Sequence, residues 1–184
     1  MDLSDAQLDR YARHIVLRDI GGAGQKKILD AHVLVVGAGG IGCPAIQYLA
    51  AAGIGALTIM DDDVVSLSNL QRQVLFGEKD VGKAKVEVAK VAAQHINPDV
   101  KIISLNQRLS PEQLPNDGAD FFAPFDAIID GSDNYQTRLL VSDLSVKHHV
   151  PLVSAAIGQF QGQLGTFRGW EADKPCYRCF VGDA

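Results

Sequence analysis

Short apolar runs alternate with amphipathic stretches along this chain. Ser4 and Gln7 have capping-box spacing, and Leu8, Tyr11, Ala12, Ile15 and Val16 follow at helical period. A first helix is predicted there, with one apolar stripe and with Arg10 and Arg13 on its other faces. Gly21, Gly22 and Gly24 predict a loop, followed by a short amphipathic piece around Lys26 to Leu29. Val33 to Val36 is a continuous apolar run, as a strand buried on both faces would be. Cys43 to Ala52 reads as a helix, with Pro44 tolerated in its first turn and Gly53 as its stop. Leu57 to Met60 is the next strand and ends in three aspartates. Ser66 to Gln73 is polar without a period. Gly82 to Ile96 is predicted helical, and Val100 to Leu105 a strand. Ser110 to Pro124, rich in Pro, Asp and Gly, predicts a surface loop. Ala127 to Asp130 and Leu152 to Ile157 predict strands on either side of a helix from Asn134 to His149. Gln163 to Arg168 adds a strand expected to be antiparallel. This alternation of strand and helix favours an α/β fold with a largely parallel sheet.

GAGGIG fits the pattern G-x-G-x-x-G with Gly37, Gly39 and Gly42. It lies between a buried strand and a helix, the context in which the pattern binds a nucleotide on a Rossmann-like sheet. Gly37 permits the tight turn, Gly39 and its neighbour Gly40 leave room for a phosphate, and Gly42 lets helix and strand pack closely. The free N–H groups at the helix start attract an anion. Asp61 follows Gly42 by nineteen residues, at the end of the next strand, where a carboxylate can take ribose hydroxyls.

NAD and ATP share their adenosine half, so the glycine loop alone leaves an NAD-dependent oxidoreductase open. The stretch SLSNLQRQ argues for ATP. Ser68, Asn69, Leu70, Gln71, Arg72 and Gln73 follow the ribose-binding acid closely, and Asp63 stands between as a minor candidate ligand. Reaction at the α-phosphate needs cations around the triphosphate and the departing pyrophosphate. The fork of Arg72 can grip two phosphate oxygens, and Lys85 can supply a movable point charge. Asp130, Asp133 and Asn134 lie at the carboxyl end of a strand, the edge where α/β sheets bind ligands. Asp133 can hold Mg²⁺ that shares substrate phosphates, with Asp130 nearer the sheet as support.

Bulk properties narrow the classes. The chain has 184 residues, 47% hydrophobic and 21% charged, with a net charge of −5. That charge argues against nucleic acid as a partner. No apolar run could span a bilayer, and the N-terminus is polar and acidic, unlike a targeting peptide. Three cysteines, two of them in one CxxC, point to a reducing cytoplasm rather than a disulfide scaffold. Cys43 reads as a small buried residue.

GAGGIG, SLSNLQRQ, GKAK, the D-x-x-D-N element and CYRC stand in the order and approximate spacing of the MoeB/ThiF family, the bacterial relatives of ubiquitin-activating enzymes. The opening LSDAQLDRYARHIVLRD resembles that family's N-terminal helix, so the resemblance runs from about Leu3 to Gly182. It implies ATP-dependent adenylation of the Gly-Gly carboxylate of a ubiquitin-like sulfur-carrier protein, serving molybdopterin or thiamine biosynthesis. A sulfur-donor protein then acts on the adenylate. It implies catalytic roles for Arg72, Lys85 and Asp133. Arg13, a solvated helix charge on its own pattern, becomes a group that reaches the other subunit of a homodimer. Cys176 and Cys179 become half of a structural Zn²⁺ site, because the family completes four ligands with a second CxxC beyond Ala184. The chain is therefore expected to be C-terminally truncated. One unit, 1–184, is expected: a helical segment 1–30, a Rossmann-like core 31–170, and an incomplete zinc-binding region 171–184. A non-catalytic scaffold for a ubiquitin-fold partner remains the third reading.

Overall fold

The computed structural model describes residues 3–114 and 118–182. Six strands form one sheet in the order β3-β2-β1-β4-β5-β6. They span His32–Val36 (β1), Ala56–Met60 (β2), Lys101–Leu105 (β3), Ala127–Asp130 (β4), Leu152–Gly158 (β5) and Gln161–Phe167 (β6). β1 to β5 are parallel, and β6 returns antiparallel along β5, as the sequence predicts. The α/β expectation holds.

The central strand shows why. Val33 and Val35 face one core, with Ile46, Leu57 and Ile59. Leu34 and Val36 face the other, with Ile128, Val141 and Leu152. Successive side chains alternate faces, so an unbroken apolar run is what two covered faces demand. Helices α4 (Gly42–Ala52) and α5 (Lys85–Ile96) cover the first face, and α6 (Ala119–Phe122) and α7 (Tyr135–His148) cover the second. Among the described residues no helix is long and apolar enough to cross a membrane.

Four sequence expectations change. The first helix is two short ones, α1 (Asp5–Arg10) and α2 (Ala12–Ile15), broken at Tyr11. The Ser4–Gln7 capping box forms, but the apolar stripe is not core: Leu8 and Val16 are exposed, and only Tyr11 is buried. Tyr11 Oη accepts a hydrogen bond of 2.9 Å from Asn97 Nδ2, against Gly53 at the end of α4. Gly21, Gly22 and Gly24 lie in a helix, α3 (Gly21–Asp30), rather than a loop. Tertiary contact overrides their low propensity. Gln25 is fully buried, its Oε1 accepting from His14 Nδ1 at 2.8 Å and its Nε2 donating to the Ala52 carbonyl at 2.9 Å.

The helix expected from Gly82 begins at Lys85, because Gly82 to Ala84 pair with the segment after β2. Gly82 donates to the Val65 carbonyl (2.9 Å) and Val65 to the Lys83 carbonyl (2.8 Å). This pairing sets Lys85 at the first turn, its own N–H bonded to the Asp63 carbonyl at 3.0 Å. The supposed surface loop Ser110 to Pro124 carries the short helix α6 and buries Leu114 and Phe122; its residues 115–117 lie outside those described. A final helix, α8 (Tyr177–Val181), follows the sheet.

Candidate functional site

The carboxyl ends of β1, β2 and β4 open on a cavity of about 490 Å³. Its floor is the turn after β1. Gly37 has φ +91°, and a Cβ there would lie 3.0 Å from the Gly131 carbonyl. A Cβ on Gly42 would lie 1.8 Å from the Gly37 oxygen, so α4 can start this close only with glycine. Gly39 and Gly40 line the cavity, and the stem of Arg72 lies across Gly40, its Cγ and Cδ 3.4 Å from where a Cβ would be. The start of α4 points a partial positive charge at whatever anion enters.

Asp61 binds this turn to its own. Its Oδ2 accepts the Ala38 N–H at 2.7 Å and its Oδ1 the Asp63 N–H at 2.9 Å. Each oxygen keeps acceptor capacity for a hydroxyl. Asp61, Asp62 and Asp63 bring carboxylate oxygens within 4.8 Å of one another. Two cations offset them: Lys85 Nζ lies 2.7 Å from Asp63 Oδ2, and Arg108 Nε 3.5 Å from Asp62 Oδ2. The Lys85 side chain is only 4% exposed, so the ammonium is held in place by this pair.

Arg72 is exposed at the cavity wall. Its Nη2 donates to Asn69 Oδ1 at 2.8 Å and its Nη1 to the Ser68 carbonyl at 3.4 Å. Ser68 and Asn69 therefore orient Arg72 and do not line the cavity. Gln71 donates to the Ser68 carbonyl and Leu70 packs against the core, and neither lines the cavity. Gln73 lines the cavity and is buried, and its Oε1 has no hydrogen-bond partner among the described residues.

Beyond β4, Asp133 is exposed and lines the cavity, beside Asn134, whose side chain caps α7 by accepting the Thr137 N–H at 2.9 Å. Asp130 lies beneath, fully buried and away from the cavity wall. Sequence reasoning missed Gln107, Arg108 and Leu109 after β3, and Ser132, Thr137 and Arg138 around α7, all of which line the cavity. The strand-end rule applied to β3 would have found the first three. Arg138 stands four residues after the cap Asn134, one helical turn on.

Arg13 is exposed on α2 and is not in the cavity wall. Tyr11 docks α1 and α2 beside Gly53 and Asn97, at the amino ends of β2 and β3, the far end of the sheet. Gly42 supports the turn from behind. Cys43 is buried in the core, where desolvation pushes its thiol up to about 11. Cys176 caps α8, accepting from the Cys179 N–H at 3.2 Å, and the two sulfurs lie 2.9 Å apart. Neither lines the cavity wall, and neither forms a disulfide among the described residues.

The sequence matches the ThiF family over residues 11–184. The chain belongs to the ThiF family. Among curated relatives, this ThiF-family chain is 44% identical to the SAMP-activating enzyme E1 of Haloferax volcanii over 184 residues, covering 100% of the chain and 66% of the relative. It is 43% identical to the molybdopterin-synthase adenylyltransferase of Escherichia coli over 178 residues, covering 97% of the chain and 70% of that protein. Among solved structures, E. coli tRNA N6-threonylcarbamoyladenosine dehydratase, TcdA, in complex with ATP, superposes with TM-score 0.78 at 29% identity, covering 88% of this chain and 65% of that one. The chain thus spans about two thirds of the length of these proteins.

Proposed function

We propose that this ThiF-family chain is the nucleotide-binding part of an adenylyltransferase acting on the C-terminal carboxylate of a ubiquitin-like sulfur-carrier protein. The observation that carries the reading is the gathering of Arg72, Lys85 and Asp133 around one cavity at the glycine turn. The names of the two relatives support it, one as a SAMP-activating enzyme and one as a molybdopterin-synthase adenylyltransferase. So does the ATP bound by TcdA on the same fold.

The reaction joins a carboxylate oxygen to the α-phosphorus and breaks the bond to the bridging oxygen, releasing pyrophosphate and leaving an acyl-adenylate. The carboxylate is already ionised at neutral pH, so no general base is required. Alignment and charge neutralisation remain to be supplied. Asp61 takes the ribose hydroxyls. Gly37, Gly39 and Gly40 leave the backbone open to the phosphates. Arg72, braced by Ser68 and Asn69, grips phosphate oxygens with its fork. Lys85 exchanges Asp63 for phosphate. Gln73 gives its unpartnered oxygen to the nucleotide or its water. Asp133 is the Mg²⁺ ligand, a role that suits an exposed carboxylate free to share a hydrated ion with phosphates; bound there, Mg²⁺ would neutralise charge on the triphosphate.

Arg13 cannot serve its own chain's cavity from the far end of the sheet, so its role belongs to a homodimer in which it meets the other subunit's phosphates. Cys176 and Cys179 suit Zn²⁺ as two thiolate ligands on one surface; a closed tetrahedral site needs two more from outside the described residues. Such a site would be structural. Three cysteines, too few for a disulfide scaffold, agree with a cytoplasmic setting, where a sulfur donor would act on the adenylate.

ATP–pyrophosphate exchange by the full-length protein with a Gly-Gly-tailed carrier tests the reading. Exchange that requires the carrier and is lost in Arg72→Ala and Lys85→Ala supports it. No exchange with a demonstrably folded carrier overturns it.

A further inference from the structure

Arg138 is another cation in the cavity wall, and its chemistry differs from that of Arg72. It lies in the first turns of α7, with a side chain only 9% exposed. Its Nη1 donates to the Ala155 carbonyl on β5 at 2.8 Å, and its Nη2 donates to the Ser132 carbonyl. The guanidinium also lies 3.8 Å from Asp130 Oδ2. Asp130 in turn accepts the Ser132 N–H (3.0 Å), the Ser132 hydroxyl (2.7 Å) and the Ser154 hydroxyl (2.9 Å). Ser132 is therefore clamped from both sides, its N–H and hydroxyl by the carboxylate and its carbonyl by the arginine.

The Ser132 carbonyl belongs to the peptide that leads into Asp133. Fixing that carbonyl fixes the plane of the peptide and so the direction in which Asp133 leaves the chain. Asp133 itself is exposed, and what orients it is this backbone clamp. A buried ion pair is a poor source of stability compared with apolar packing, but it specifies one arrangement when its hydrogen bonds are complete. Lysine could keep the charge of Arg138 but not the planar fork that reaches two carbonyls at once.

We propose that Arg138 is a positioning residue: together with Asp130 it locks the Ser132–Asp133 peptide so that Asp133 is preorganised for the divalent ion that accompanies the triphosphate. The inference rests on the adenylyltransferase reading above. Its test is the Mg²⁺ dependence of ATP binding, measured by calorimetry on the full-length protein with and without Mg²⁺, for wild type, Arg138→Lys, Asp133→Asn and the double variant.

In Arg138→Lys the gain in ATP affinity on adding Mg²⁺ falls by about tenfold, a loss larger than any change in affinity without Mg²⁺. The double variant loses no more than Asp133→Asn alone, because the two residues act through one coordinate. Should Arg138→Lys fail to fold, Ser132→Ala removes another strut of the same clamp and enters the same cycle. Additive losses, or equal losses with and without Mg²⁺, reduce Arg138 to a structural residue and overturn the inference. If wild type binds no ATP, the functional reading itself fails. If wild type and Asp133→Asn behave as expected while Arg138→Lys keeps its full Mg²⁺ gain, only the positioning role falls.

Discussion

The ends of β2 and β4 carry the same kind of sequence, a buried strand running into aspartates at the edge where ligands bind, yet they are built in opposite ways. After β2, Asp61 to Asp63 are half-buried or exposed, and the charges of Asp63 and Asp62 are met by side chains from elsewhere, Lys85 and Arg108. After β4, the first acid is sealed into a network of serines and Arg138, and only the last, Asp133, reaches the cavity. One end keeps exchangeable partners and the other a fixed frame. A site that must both admit a highly charged molecule and hold one metal ligand still has use for each.

Four measurements can break or sharpen that contrast. The largest effect is expected from Asp130→Ala, which strands Arg138 in the interior and should cost about 3–5 kcal/mol in denaturant unfolding. Asp133→Ala in the same assay should stay within about 0.5 kcal/mol of wild type; equal losses would erase the distinction between the two acids. In ATP–pyrophosphate exchange Asp133→Ala should lower the rate by about 10²–10³ while its melting curve is unchanged. Next comes Asp63→Asn. It deprives the buried Lys85 of a charged acceptor and should destabilise the nucleotide-free protein by about 1–3 kcal/mol. Added ATP should restore more stability to this variant than to wild type, because phosphate no longer competes with Asp63; an equal thermal shift in both would mean that the pair is not exchangeable. The smallest effect concerns the thiols. With its pKa raised to about 11 by burial, Cys43 is protonated at pH 8 and should resist iodoacetamide while Cys176 and Cys179 are alkylated first, as peptide mapping would show. Early labelling of Cys43 would mean that the core behind the glycine turn opens readily.

The sheet was legible because its signal is local. Each parallel strand is a short apolar run, and the antiparallel strand near the C-terminus was visible as one more strand, Gln163 to Arg168, after Leu152 to Ile157. The glycine turn was legible for the same reason: the spacing of Gly37, Gly39 and Gly42 states a backbone geometry. The N-terminal arm was not. Its apolar stripe had the right period, but only Tyr11 finds a partner, and that partner is Asn97, far along the chain. Gly21 to Gly24 read as a loop because propensity cannot register the buried Gln25 that holds α3 in place. In the candidate site, Arg72, Lys85 and Asp133 were found from their neighbours in sequence. Arg108 and Arg138 were not, because what places them in the wall is the return of β3 and α7 to the same edge.

The attachment of the N-terminal arm has a further consequence. α1 and α2 bury one ring, Tyr11, pinned by Asn97, and add two polar ties, His14 to Gln25 and Arg10 to the Ile96 carbonyl. A segment moored by one ring and a few polar ties exchanges its amide hydrogens through local detachment long before the sheet opens. Arg13 rides on that segment, so its reach is set less by the rigid body of the molecule than by how firmly these few ties hold.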